Sequence, residues 1–213
     1  LAAFGEVELA LGEAWSLGAG LRVADRSMQF SDSNAVTAEP DQTLWGGALT
    51  LRYLGLEGHL FYLRAARGYR ANGVNAGVLS APERGDAPAF FDEELLFNYE
   101  LGHKYETPGG RFSSRLALFY MDRRDQQVRG SLVLPRADGS TAFLDFTDNA
   151  AEGRNLGLEW EARLRAGENL DTFLALGLLR TRFDDYDAAG LDLEGRDQAH
   201  APNWQFSLAG DYD

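Results

Sequence analysis

Asn155-Leu156-Gly157-Leu158-Glu159-Trp160-Glu161-Ala162-Arg163-Leu164-Arg165 alternates without a break. Leu156, Leu158, Trp160, Ala162 and Leu164 fall on one face of an extended chain, and Asn155, Gly157, Glu159, Glu161, Arg163 and Arg165 on the other. Successive side chains of a β-strand point to opposite sides, so this segment is a strand with one apolar and one charged face. Working outward, the pattern recurs. Trp15, Leu17, Ala19, Leu21 and Val23 oppose Ser16, Gly18, Gly20 and Arg22, and Gly47, Leu49 and Leu51 oppose Thr50 and Arg52. The exceptions are His103 and Arg67, which fall on apolar faces close to strand ends, and 173–179, which is apolar on both sides.

Aromatic residues bracket the apolar faces at a spacing of eight: Trp45/Tyr53, Phe61/Tyr69, Phe97/Tyr105, Phe112/Tyr120 and Trp204/Tyr212. An even spacing puts both members on one face. At about 3.3 Å per residue they stand roughly 26 Å apart along a strand, and a tilt near 40° reduces this to about 20 Å of height. That approaches the lipid-facing band of a membrane barrel between its two aromatic girdles. Trp45, Tyr53, Phe61, Phe97, Tyr105, Phe112, Tyr120, Trp204 and Tyr212 are the expected girdle residues.

Alternation and turn residues divide the chain into about nine strands, over 2–11, 15–24, 43–54, 59–70, 91–105, 111–125, 150–165, 170–183 and 202–213. Connections alternate between tight (12–14, 55–58, 106–110, 166–169) and long (25–42, 71–90, 126–149, 184–201). Successive hairpin connections lie at opposite ends of an antiparallel sheet, so one rim carries short turns and the other long loops. The expected fold is all-β: part of an antiparallel transmembrane β-barrel, meandering, in one domain over 1–213.

Composition bounds the alternatives. No apolar run approaches the length of a membrane helix, which leaves barrels untouched because their strands need apolar residues only at alternate positions. A net charge of −13 argues against nucleic acid. The absence of cysteine fits an oxidising compartment without requiring it. No signal peptide is evident, and the chain reads as an internal piece of something longer.

Several blocks, in order, carry a family resemblance. Ala65-Ala66-Arg67-Gly68-Tyr69-Arg70-Ala71-Asn72-Gly73-Val74-Asn75, Phe97-Asn98-Tyr99-Glu100-Leu101-Gly102-His103-Lys104 and Ala117-Leu118-Phe119-Tyr120-Met121-Asp122-Arg123-Arg124-Asp125-Gln126-Gln127-Val128 resemble barrel strands of TonB-dependent outer-membrane receptors. Asn149-Ala150, Gly157-Leu158-Glu159-Trp160-Glu161 and Ala201-Pro202-Asn203-Trp204-Gln205-Phe206-Ser207-Leu208 with Tyr212 continue the likeness. Asn72 departs from it, standing where the family block usually has glycine. The resemblance implies a siderophore-receptor-like protein in the outer membrane of a Gram-negative bacterium. It would take up a scarce nutrient, most commonly a ferric siderophore, with energy from an inner-membrane TonB complex acting on a plug. The plug, the TonB box and the final barrel strand are not found in these residues. The implied partners are outer-membrane lipid, the TonB complex and a small-molecule ligand. No covalently bound cofactor is implied, and an iron chelate enters as cargo.

Catalytic chemistry finds little support. His59, His103 and His200 are far apart in sequence, expected near different rims and without metal-site spacing. No Ser/His/Asp order suggests a hydrolase, so an enzyme is not expected. The inward-facing set comprises Arg64, Arg70, Asn98, Glu100, Lys104, Arg115, Arg123, Glu159, Glu161, Arg163 and Arg165, most simply read as charge pairing in a wet interior. Within the resemblance, Tyr69, Arg70, Asn72 and Asn75 are the ligand-binding candidates, where a strand leaves the membrane for a long loop. Arg70 offers a guanidinium to an anionic chelate and Tyr69 a ring to stack on it. A soluble all-β binding module and a non-energised porin are the alternatives. The module predicts mixed loop lengths at both ends, and the porin a gene without a plug.

Overall fold

The computed structural model describes residues 1–32, 36–81, 87–135, 139–188 and 191–212. In chain order the elements are β1 (Ala2–Leu11), β2 (Trp15–Ser27), β3 (Phe30–Ser31), β4 (Thr37–Ala38), β5 (Asp41–Tyr53), β6 (His59–Arg70), β7 (Gly73–Val74), α1 (Ala76–Leu79), β8 (Phe90–Phe91), β9 (Glu94–Glu106), β10 (Phe112–Pro135), β11 (Thr141–Arg165), β12 (Leu170–Ala188), β13 (Leu191–Asp192) and β14 (Trp204–Tyr212). One ten-stranded antiparallel sheet runs β1-β2-β5-β6-β9-β10-β11-β12, and β12 then pairs with both β13 and β14. The long strands meander, each beside its sequence neighbour.

Two corrections concern the long connections. Residues 126–149, expected to be a loop, mostly continue the β10–β11 ladder, with Leu132 opposite Leu144 and Val133 opposite Phe143. A bulge between Arg123 and Gln126, with Asp125 at φ 51°, breaks the period of two there and imitates a strand end. The described parts of the connections 25–42 and 71–90 hold the β3–β4 pair, the β7–β8 pair and α1. Strand β12 reaches Ala188 rather than 183.

Register keeps the two faces separate across the sheet. Leu9, Leu17, Leu51, Leu63, Leu101, Leu118, Leu158 and Leu178 stand directly opposite one another in turn, and Trp204 faces Leu178. This apolar row crosses the strands obliquely to their ends: Leu9 lies two residues from the turn end of β1, Leu178 eight from that of β12. A drift of six residues over seven strand steps, at about 3.3 Å per residue and 4.8 Å per strand, corresponds to a tilt of about 30°. A flat sheet of unstaggered strands would show none.

The apolar face is exposed along its length, Leu101 being 56% accessible. Among the described residues the buried hydrophobics are Ala38, Leu44, Val78, Ala87, Ala151 and Phe183, all towards the long-loop end. Water would penalise so large an apolar surface, whereas hydrocarbon would not. Aromatic rings lie flat on glycines of the adjacent strand, two of them on the polar face of the main sheet and two in the long connections. Tyr62 covers its partner Gly102, Phe119 covers Gly157, Phe146 covers Gly130, and Phe91 covers Gly73. Each glycine gives the ring room to lie down, and the ring supplies the packing that glycine lacks.

Candidate functional site

The long-loop rim is held by a polar network whose centre is Glu94, the first residue of β9 and only 7% accessible. Its carboxylate accepts hydrogen bonds from Arg123 Nε (3.0 Å) and from the Gln127 backbone amide (3.1 Å). Gln127 in turn donates through Nε2 to the carbonyls of Ala71 and Asp92, each at 2.8 Å. The Asn149 side chain donates to the carbonyls of Asp125 (2.7 Å) and Asp92 (3.1 Å), and its Oδ1 accepts from the Asp92 amide (2.6 Å). A buried carboxylate is tolerated only with such partners, since an unpaired one would cost several kcal/mol. The bulge at Asp125 turns Gln127 into this network.

Of the four ligand-binding candidates, two are engaged in loop clamps. Asn75 is 7% accessible; its Nδ2 donates to Pro88 O (2.8 Å) and Thr147 O (2.6 Å), and its Oδ1 accepts from the Thr147 amide (2.8 Å). Asn72 accepts from Arg26 Nη1 at its Oδ1 (3.1 Å) and at its backbone carbonyl. The Tyr69 ring packs on Gly46, where a Cβ would stand 3.3 Å from Cε1. Arg70 is exposed and has no ion-pair partner among the described residues. Glu94, Gln127 and Asn149 were not singled out from sequence. The signal available for two of them was that Gln127 and Asn149 stand inside the recognised blocks.

Aromatic rings line the opposite, short-turn rim on the apolar face. Trp15 and Tyr53 lie 4.7 Å apart, Tyr53 and Phe61 6.5 Å, and Tyr105 and Phe112 6.1 Å, centroid to centroid. Between them His59 Nδ1 and His103 Nε2 meet at 2.9 Å, with the His103 ring 4.4 Å from Phe61 and the His59 ring 4.3 Å from Tyr105. The expectation that the histidines lie near different rims is thus corrected for this pair, because antiparallel β6 and β9 place His59 opposite Tyr105 and His103 opposite Phe61. Towards the long-loop rim the guanidinium of Arg67 sits 4.0 Å above Trp45 and pairs with Glu93 at 3.5 Å. Arg124 similarly lies 5.1 Å over Phe97 and pairs with Asp122 at 2.8 Å. Tyr120, Trp204 and Tyr212 stand exposed on the same face, the last two on β14.

Charges on the polar face pair across strands. Arg52 meets Glu8 at 3.0 Å, Arg115 meets Glu161 at 3.9 Å, Arg163 and Arg165 meet Asp171 at 3.6 and 3.5 Å, and Tyr62 donates to Glu100. Such exposed pairs contribute at most about 1 kcal/mol each. Among the described residues no group of three or more His, Cys, Asp and Glu side chains is arranged to hold a metal ion.

The sequence matches the TonB dependent receptor-like β-barrel family over residues 1–213. The chain belongs to the TonB-dependent receptor family. It is similar to the pesticin receptor of Yersinia pestis, with 26% identity over 193 residues that span 86% of this chain and 26% of that protein. In structure it resembles the ferric yersiniabactin uptake receptor FyuA of Yersinia pestis (TM-score 0.73, 21% identity, 99% of this chain and 30% of that one). The copper transporter OprC resembles it equally in shape (TM-score 0.73, 14% identity, 100% of this chain and 32% of that one). This TonB-dependent receptor chain therefore spans about a quarter to a third of the relatives it matches. In receptor-barrel terms, the network around Glu94 lies where strands pass into long loops, and the His59–His103 pair lies at the short-turn edge.

Proposed function

We propose that the chain is a barrel segment of an energy-coupled uptake receptor in the outer membrane of a Gram-negative bacterium, and that its cargo is a ferric siderophore. The observation that carries this reading is the division of the molecule by rim. One end holds only tight turns below an aromatic ring series, and the other holds long, mutually bonded connections. The exposed apolar face meets lipid, with Trp45, Phe97, Tyr120 and Trp204 towards one interface and Tyr53, Phe61, Tyr105, Phe112 and Tyr212 at the other. Arg70 is the ligand-contacting residue at the mouth, where its exposed guanidinium, without an ion-pair partner among the described residues, suits an anionic chelate. Tyr69 supports it from the strand end. Asn72 and Asn75 act as positioning residues, because their side chains hold the loops that frame the mouth. Energy arrives from the inner-membrane TonB complex through a plug carried elsewhere in the protein.

The test uses the complete receptor in micelles. Ferric siderophores, haem, cobalamin and oligosaccharides are titrated against intrinsic fluorescence, with Arg70→Gln in parallel. The proposal expects a ferric chelate to bind and Arg70→Gln to weaken it roughly tenfold, the scale of one lost charge-assisted contact. Binding of cobalamin or a glycan with no response to any ferric chelate refutes the siderophore assignment.

A further inference from the structure

On the apolar face, the first charged residues met on β11 and β12 in going from the middle of the sheet towards the long loops are all cationic. Leu158 and Leu178 stand opposite each other, then Leu156 opposite Arg180, then Arg154 opposite Arg182. Acids come further out: Asp184 pairs with Arg154 at 3.0 Å, and Glu152 faces Asp185 one step beyond a bulge. On the other side of Arg154, Asp122 stands opposite it but is engaged by Arg124 at 2.8 and 3.0 Å. Arg180 and Arg182 are exposed and have no ion-pair partner among the described residues. The Arg182 guanidinium lies against the loop, its Nη2 3.2 Å from where a Cβ on Gly195 would stand.

Like charges directly opposite on one face of a sheet repel, and Asp184, paired with Arg154, offsets the Arg154/Arg182 repulsion only in part. With one of the three guanidiniums neutralised by Asp184, two positive charges remain. Tyr120 opposite Leu156, and Trp204 opposite Leu178, flank the cluster at the level where aromatic side chains meet the headgroup region. We propose that Arg154, Arg180 and Arg182 bind the phosphomonoester headgroup of a lipid in the leaflet on the long-loop side. A phosphomonoester carries close to two negative charges at neutral pH and presents three acceptor oxygens, matching the two unneutralised guanidiniums and their forked donors. The site faces away from the barrel interior and is separate from the ligand mouth at Arg70. It rests on the membrane placement proposed above and goes beyond the uptake activity.

The complete receptor, purified in dodecyl maltoside, is titrated with dioleoyl phosphatidic acid, dioleoyl phosphatidylcholine or inorganic phosphate, and bound lipid is counted by native mass spectrometry. The phosphomonoester lipid is expected to bind at least tenfold more tightly than the zwitterionic one. At about 1 kcal/mol per basic residue near a lipid surface, the double substitution Arg180→Gln and Arg182→Gln is expected to lower its affinity roughly tenfold or more. Arg115→Gln, on the polar face, is expected to leave it unchanged. Heat-modifiable gel mobility checks that the double variant folds, and the pair Arg180→Lys and Arg182→Lys, which keeps charge but loses the fork, is expected to fall between. Equal binding of both lipids, or indifference to the double substitution, overturns the proposal while a micelle-dependent fold leaves the membrane reading intact. Competition by inorganic phosphate at the lipid's own concentration also overturns it, since the site then selects a free anion. A receptor that folds without micelles overturns both readings.

Discussion

Asn75 shows how one side chain can hold two distant stretches of chain together. Its three hydrogen bonds reach Pro88, in the segment leading into β8, and Thr147 of the β11 backbone, the latter 72 residues away from Asn75 in sequence. Asn75→Ala strands two carbonyls and an amide away from their partners, at a cost of about 2–3 kcal/mol to that loop. Limited proteolysis of the folded receptor should then cut between Val74 and Phe90 at least tenfold faster, and an unchanged rate would contradict the clamp. Gly157 tests packing on the opposite scale of chemistry. A Cβ there collides with the Phe119 ring, so Gly157→Ala should cost about 1–3 kcal/mol in a urea titration, while Gly157→Ala combined with Phe119→Leu should recover part of it. Arg123→Met leaves the Glu94 carboxylate short of its main cation and should destabilise by about 2–4 kcal/mol, read in the same titration. At this scale the sequence was only partly legible. Alternation revealed which face Gly157 and Arg123 occupy, but not that Asn75 faces inward to backbone groups, because that depends on contacts across 72 residues.

Among the elements, the strands were legible wherever the period of two was unbroken. For β1, β2, β5 and β6 the expected boundaries differ from the observed ones by no more than three residues, and the short turns fall as read. Legibility failed at β10 and β11, where the irregularity between Arg123 and Gln127 interrupts the alternation locally and hides a ladder that resumes in the same register and continues to Pro135 and Thr141. The two faces make a direct prediction. Leu118 lies on the apolar face and Ala117, opposite Glu159, on the polar one. Leu118→Arg should cost about 2–4 kcal/mol when the receptor folds into lipid vesicles, whereas Ala117→Arg should change stability by less than about 1 kcal/mol, with Glu159 at hand to pair with it. Equal costs at the two positions would mean that the face assignment is wrong.

As a whole molecule the chain has two sheet edges, β1 and β14, that pair with nothing further among the described residues. Backbone groups left unpaired in hydrocarbon cost several kcal/mol each, so residues 1–213 alone should not yield a heat-modifiable monomer in micelles, while the complete receptor should. The overall architecture was the most legible level, since the alternation of tight and long connections needs only the positions of turn residues. The polar network at the long-loop rim was the least legible, because Glu94, Gln127 and Asn149 meet through contacts that follow no period. The oblique line of leucines from Leu9 to Leu178 carries one more consequence. Since the strands lean, a line drawn straight across them descends through the membrane, and the same residue type marks each depth on the way. The chain has no cysteine of its own, so replacing these leucines one at a time would attach a spin label at graded immersion, turning the barrel wall into a ruler for the thickness of the bilayer around it.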